Sequence, residues 1–192
     1  MGVNLGGTRR EVVALFSDIK RFTSFSESVA PEKVVILLNT YLRVQVKVVV
    51  AYGGVIDKYV GDQLVAIFTD EADSLDRAVR RAVDCALHMQ WMLTKLRATG
   101  RVPPIGVGIG INCGEVVLGA MGTEDRMDFT MIGDTVNVAA RLCDAAHTGA
   151  STTVQSHHRP ARSATERTNR RSRTDATQRQ KPAVASLHAR RQ

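Results

Sequence analysis

The stretch VIDKYVGDQLVAIF at residues 55–68 reads as two apolar strands folded back on each other. Val55 to Val60 and Leu64 to Phe68 are short runs rich in β-branched and aromatic residues. Gly61-Asp62 between them is a hairpin turn signal. Upstream, Gly53-Gly54 stops a helix that carries Pro31 near its first turn. Val34, Leu38, Tyr41, Val48 and Tyr52 recur there at helical spacing and predict one buried stripe. Before that helix, Val12-Val13-Ala14-Leu15-Phe16 is a continuous apolar run, a buried strand ending at Asp18. Downstream, a second helix opens among Asp70, Glu71, Asp73 and Asp76 and closes near Lys95, Arg97 and Gly100, with charges that suit its dipole. Leu75, Val79, Val83, Ala86, Gln90 and Leu93 mark its inward side. Ile105 to Ile111, Glu115 to Leu118 and Phe129 to Ile132 are further strands, and a last helix starts at Asp134 as cap. The order β-α-β-β-α-β predicts an α+β, ferredoxin-like split βαβ sheet with helices on one face.

The 192 residues allow one domain plus a tail, and 44% hydrophobic content excludes a wholly disordered chain. Three widely spaced cysteines, Cys85, Cys113 and Cys143, exclude a disulfide scaffold and a paired-Cys zinc site. The start carries no apolar signal region, and the apolar runs are read as too short to span a bilayer. The expectation is a cytoplasmic protein without a membrane span. The net charge of +7 is unevenly placed: residues 1–150 hold 16 Lys+Arg against 17 Asp+Glu, and residues 151–192 hold 10 against 2. The body therefore has no basic footprint, and no nucleic acid is expected as a partner. Three stretches are expected: a lead-in over 1–10, a domain over 11–150, and a disordered Arg/Ser/Thr-rich tail over 151–192. Val154, Val184 and Leu187 are the tail's only large aliphatic residues, too few to offset its ordering entropy.

Asp18 ends the first strand and Asp62 sits in the hairpin turn. The proposed sheet brings both carboxylates to one edge, where they form an oxygen site suited to Mg²⁺ or Mn²⁺. Separately, each is also an ordinary turn or strand-end aspartate. Lys58 stands in an apolar strand and needs a ligand, a buried partner or a snorkelling path to solvent. Asn137 and Arg141 lie four apart on one helix face, which suits a phosphoryl group or an ordinary solvated pair. Gly106, Gly108 and Gly110 bare one face of a strand, which points to close packing of a helix or a partner chain rather than to phosphate binding. His88 and His147 have no second ligand at metal spacing and read as structural or solvent-facing.

REVVALFSDIKRFTSFSE, GGVIDKYVGDQLVAIF, GIGINCGEVVLGAMG and DFTMIGDTVNVAARL occur in this order, and together they resemble the catalytic domain of class III nucleotidyl cyclases over roughly residues 5–150. The resemblance implies an adenylate cyclase that converts ATP to cyclic AMP and pyrophosphate. Asp18 and Asp62, with the Ile19 carbonyl, would hold two metal ions. Phe22 and Thr23 lie where family members offer backbone N–H groups to the phosphates. Lys58 would contact the adenine edge with help from Thr130. Guanylyl cyclases typically carry Glu and Cys at those two positions. Asn137 would orient the ribose, and Arg141 would stabilise the α-phosphoryl transition state. The family splits this site between chains, which implies a homodimer or a pairing with another cyclase chain.

The sequence departs from the family in three places. Arg21 replaces a Gly common before Phe-Thr, which is tolerable if its φ stays negative. Asn112-Cys113 replaces a pair that is more often His-Thr or His-Ser. The family continues beyond His147-Thr148-Gly149 with strands that finish the sheet, whereas the pattern here stops near Ala150. Missing strands would leave an open sheet edge and weak or absent turnover. A non-catalytic homologue that binds nucleotide or pairs with a complete cyclase is the alternative reading.

Overall fold

The computed structural model describes residues 7–69, 74–123, 126–146, 154–157 and 185–187. The chain runs β1 (Gly7–Ile19), α1 (Phe22–Ser28), α2 (Pro31–Ala51), β2 (Val55–Val60), β3 (Gln63–Phe68), α3 (Leu75–Ala98), β4 (Val107–Thr123), β5 (Arg126–Ile132), α4 (Asp134–Ala146), β6 (Val154–His157) and β7 (Ala185–Leu187). The strands form one sheet in the order β2-β3-β1-β4-β6-β7, with β5 pairing β4 off that path. β1 lies antiparallel to both neighbours, with Val13–Ser17 against β3 and the whole strand against β4. It is covered on both faces, which is why residues 12–16 form an unbroken apolar run rather than an alternating one.

Odd-numbered β1 residues Val13, Leu15 and Ile19 join Leu64, Ala66, Phe68, Ile109 and Ile111 against α2 and α3. Even-numbered Val12, Ala14 and Phe16 join Val65, Ile67 and Val116 against Met131 and the α4 residues Ala139 and Cys143. Gly110 lets α4 approach: a Cβ there would fall 2.2 Å from the Cys143 backbone N and 2.3 Å from the Ala139 carbonyl O. The bare glycine face is thus a helix seat at Gly110.

α2 buries Leu37, Tyr41, Gln45, Val48 and Val49. Of the stripe expected there, Tyr41 and Val48 are fully buried, whereas Val34, Leu38 and Tyr52 are half-buried. By length and composition α2 is apolar enough to cross a membrane, unlike the reading from apolar run lengths. Here its inward side packs into the sheet core, and Tyr41 donates its hydroxyl to the Ile105 carbonyl at 2.9 Å. α3 buries Ala78, Ala82, Cys85, Ala86, Met89 and Leu93, mostly one residue away from the expected stripe. The helix has turned its small side chains to the sheet, because alanines permit a closer approach than Val79 and Val83 would.

Two expectations about strands differ from the structure. The strands expected at Ile105–Ile111 and Glu115–Leu118 are one 17-residue strand, β4, which begins at Val107. Cys113 and Gly114 look like a break in the sequence, but both pair with β1, opposite Val13 and Val12. The sheet also does not stop before residue 151. β6 pairs parallel with Ile109–Asn112 of β4, and β7 pairs antiparallel with β6. That edge of β4 is therefore paired at Ile109–Asn112, by short strands that fall within the stretch expected as tail. A four-residue strand with Val154 as its one aliphatic residue has too little periodicity to be read from sequence. Residues 151–153, 158–184 and 188–192 of the expected tail lie outside the described residues, as does His147.

Candidate active site

The end of β1 and the β2–β3 turn build the first cluster. Gly61 occupies the turn with φ 61°, a left-handed conformation that glycine adopts without a Cβ clash. This tight reversal places Asp62 beside the strand end, where its Oδ2 accepts the Ile19 backbone N–H at 3.2 Å. Asp18 lies on the same end, opposite Gly108. Its carboxyl is pushed up to about 7 from an ordinary 3.8. Burial is the largest cause, followed by the charge and side-chain hydrogen bond of Asp62 and the charge of Asp144, while the Ile19 backbone N–H pulls the other way. Two carboxylates this close keep a proton that water alone would remove. A divalent cation can replace that proton, so the all-oxygen donor set fits a hard metal ion. No group of three or more ligating side chains occurs among the described residues, so the carboxylate pair is the whole side-chain set there.

Beneath this strand end lies a polar contact that sequence reasoning missed. Ser17 donates its hydroxyl to the Gln45 Oε1 at 2.6 Å, and both residues are fully buried. The Gln45 Nε2 is buried with no hydrogen-bond partner. The lone Gln in the Val-rich run of α2 was the available signal. Next to the carboxylates the chain turns into α1 through Arg21, which has φ 55°. The condition set for Arg21, a negative φ, is not met. Phe22 is half-buried against the core and Thr23 is exposed at the start of α1.

Lys58 and Thr130 form the second cluster. The Lys58 Nζ donates to the Thr130 Oγ1 at 2.6 Å, so β5 reaches β2 although the two strands do not pair. The Thr130 hydroxyl in turn donates to the Asp57 Oδ2 at 3.1 Å, and that carboxylate lies 3.6 Å from the Lys58 Nζ. The Asp57 side chain is only 2% exposed, against 44% for Lys58. Sequence reasoning missed Asp57, because neighbouring strand residues ordinarily point to opposite faces. The register shifts between Ile56 and Lys58, and this bulge lets Asp57 and Lys58 serve one site. Val55, Tyr59 and Val60 of β2 and Phe129 and Ile132 of β5 expose large apolar side chains.

α4 carries Asn137 and Arg141, both exposed. The Arg141 Nη2 lies 4.0 Å from the Asp134 Oδ1 in the helix's own first turn. The start of α4 is pinned twice. Thr135 donates its hydroxyl to the Glu115 carbonyl, and Asn112 donates its amide to the Thr135 carbonyl, each at 3.1 Å. The departure at Asn112 thus positions the helix that carries Asn137 and Arg141. Elsewhere, His88 rests between the Tyr52 and Trp91 rings. Burial pushes the Cys85 and Cys143 thiols up to about 12, which leaves no thiolate nucleophile at either.

The fold and the two clusters define an α+β domain that displays paired carboxylates at one strand end and, separately, a part-buried Asp–Lys–Thr network. The family described as Adenylate and Guanylate cyclase catalytic domain matches residues 7–182. An adenylate cyclase of Anabaena cylindrica is 42% identical over 151 residues, covering 73% of this chain and 28% of the relative. Adenylate cyclase 1 of Rhizobium meliloti is 38% identical over 138 residues, covering 70% of this chain and 20% of the relative. The chain therefore spans under a third of the length of these two relatives. The solved adenylyl cyclase CyaB from P. aeruginosa is similar with a TM-score of 0.71 and 34% identity, covering 80% of each chain. The solved guanylyl cyclase Cya2 is similar with the same TM-score and 36% identity, covering 80% of this chain and 77% of that one. The chain belongs to the adenylate and guanylate cyclase catalytic domain family. Because an adenylyl and a guanylyl cyclase match it equally in shape, the choice of base rests on local chemistry.

Proposed function

We propose that the chain is an adenylate cyclase domain that converts ATP to 3′,5′-cyclic AMP and pyrophosphate as a cytoplasmic homodimer. The observation that carries this reading is the Lys58–Thr130 contact at 2.6 Å, which presents an ammonium and a hydroxyl side by side. An ammonium can only donate hydrogen bonds, and the adenine ring nitrogen N1 accepts one. The same guanine nitrogen carries a hydrogen and would face Lys58 donor to donor. Leaving such a donor unpaired costs about 1–3 kcal/mol.

The remaining roles follow the family pattern on this chain's own residues. Asp18, Asp62 and the Ile19 carbonyl would hold two Mg²⁺ or Mn²⁺ ions, which supply Lewis-acid activation of the ribose 3′-hydroxyl and charge neutralisation at the leaving pyrophosphate. The backbone N–H groups of Phe22 and Thr23 bind phosphate oxygens. Asn137 orients the ribose. Arg141 has a planar, permanently charged guanidinium and stabilises charge developing on the α-phosphoryl group. The domain's work is therefore positioning and electrostatics, without a covalent intermediate.

Homodimerisation is supported by the exposed apolar side chains of β2 and β5, which lie beside the base-reading pair. A monomer that leaves Val55, Tyr59, Val60, Phe129 and Ile132 in water presents a face suited to a second copy. The test is direct. Purified protein with ATP and Mn²⁺ should form cyclic AMP, and Asp18→Ala and Asp62→Ala should each lower the rate at least about 100-fold. Undiminished activity in both variants would discredit the metal assignment, and absence of product from the parent chain would discredit the enzyme.

A further inference from the structure

The Asp57 carboxylate adds a function that neither Lys58 nor Thr130 supplies alone. We infer that Asp57 is a specificity-determining residue that locks the Thr130 hydroxyl as a hydrogen-bond acceptor toward the base, so that the site selects a 6-aminopurine over a 6-oxopurine. The inference rests on the proposed role of Lys58 and Thr130 in reading the base.

A threonine hydroxyl has one proton and two lone pairs, so by itself it can meet either a donor or an acceptor. Thr130 loses that freedom here. Its oxygen accepts from the Lys58 Nζ at 2.6 Å, and its proton goes to the Asp57 Oδ2 at 3.1 Å. One lone pair remains for a ligand. Lys58 keeps further N–H bonds to donate and, at 44% exposure, reaches the open side of the cluster. The pair therefore offers a donor beside an acceptor. Adenine presents the complement, an acceptor at N1 beside an amino donor at C6. Guanine and hypoxanthine present N1–H beside a C6 carbonyl, which mismatches both positions.

Asp57 is suited to this role because it is fixed. Its side chain is 2% exposed, the bulge between Ile56 and Lys58 aims it into the cluster, and an ionised carboxylate only accepts. Without it, the Thr130 hydroxyl could turn and donate to a C6 carbonyl. The lock is thus distinct from simple attraction between Lys58 and the base.

Inosine triphosphate is the sharpest probe, because it differs from ATP only at N1 and C6. Binding of ATP and ITP to the full chain is measured by displacement of a fluorescent ATP analogue, with turnover of both followed in Mn²⁺. The parent chain should prefer ATP. Asp57→Ala should narrow the ATP-to-ITP binding ratio about tenfold, through tighter ITP as well as weaker ATP. Asp57→Asn keeps the shape of the buried side chain but can present oxygen or nitrogen to Thr130. It should narrow the ratio by a smaller factor and keeps the test alive if Asp57→Ala does not fold. In a Thr130→Val background, Asp57→Asn should change the ratio no further, because the lock acts through the hydroxyl. A parent chain with no ATP preference would overturn the inference. So would Asp57 variants that weaken both nucleotides equally, as a purely structural residue would. A ratio that shifts as expected in a chain that makes no cyclic nucleotide would support the lock and sink the proposed activity alone.

Discussion

Asp18 holds a proton up to about pH 7 while the same residue in an unfolded chain ionises near 3.8. Between those values the folded state binds more protons than the unfolded state, so stability falls as pH rises through that window. The contribution is complete below about pH 4 and lost above about pH 7. In chelator, the parent chain should therefore melt at a lower temperature at pH 8 than at pH 5. Asp18→Asn should flatten the difference and raise the melting temperature at pH 8, while cyclase activity is lost. Mn²⁺ should restore the parent chain at pH 8 and do little for the variant. Matching pH profiles for the two proteins would show that the proton is not retained. Arg21 stores a different cost. A side chain at φ 55° is strained by roughly 1–2 kcal/mol, and Arg21 is exposed, so little packing offsets it. Arg21→Gly relieves that strain but gains unfolded-state entropy worth about 0.4–1 kcal/mol. The expected net gain is about 0.5–1 kcal/mol in denaturant unfolding, and a loss of stability would contradict the strain.

At the scale of elements, the glycine positions separate two kinds of constraint. At Gly110 the obstacle is space, because the added Cβ would meet the α4 backbone within 2.3 Å. Gly110→Ala must push α4 off the sheet at a cost of about 1–3 kcal/mol or more. That shift displaces Asn137 and Arg141, so kcat should fall more than tenfold even where the protein remains folded at 20 °C. A variant with parent-like kcat would mean that α4 tolerates the displacement. Glycines at every second position bare one strand face, so the sequence carried the close packing but not whether a helix or a partner chain supplies it. It also carried the hairpin, because Gly61-Asp62 interrupts two apolar runs and a turn there needs positive φ. The rotation of α3 was not legible: its valine stripe and its alanine stripe are adjacent, and only the closeness of the sheet chooses the smaller one. Asp57 was hidden for a related reason. Strict alternation puts it and Lys58 on opposite faces, and a one-residue bulge leaves no mark in composition. Asp18, Asp62 and Lys58 stood out because each is polar where the local pattern is apolar or turning, whereas Thr130 was marked only by the resemblance to the cyclase family.

At the scale of the whole molecule, one chain brings Asp18 beside Asp62 and, separately, Lys58 beside Thr130 and Asp57. Arg141 stays exposed near Asp134 of its own helix, and β2 and β5 leave apolar side chains in water. If the carboxylates of one chain work with the base-reading pair, Asn137 and Arg141 of another, a two-fold dimer has two sites, each drawing on both chains. Asp18→Ala homodimers then have no intact site, and neither do Arg141→Ala homodimers. A dimer of one Asp18→Ala chain with one Arg141→Ala chain concentrates both defects in one site and leaves the other whole. With equal amounts and random exchange, about half of the dimers are mixed, and each works at one of two sites. The mixture should therefore recover about a quarter of parental activity, while either variant alone remains near background. Size-exclusion chromatography with differently tagged chains verifies that mixed dimers form. Mixed dimers without recovered activity would place all catalytic groups within one chain, and the exposed β2 and β5 side chains would then need another partner.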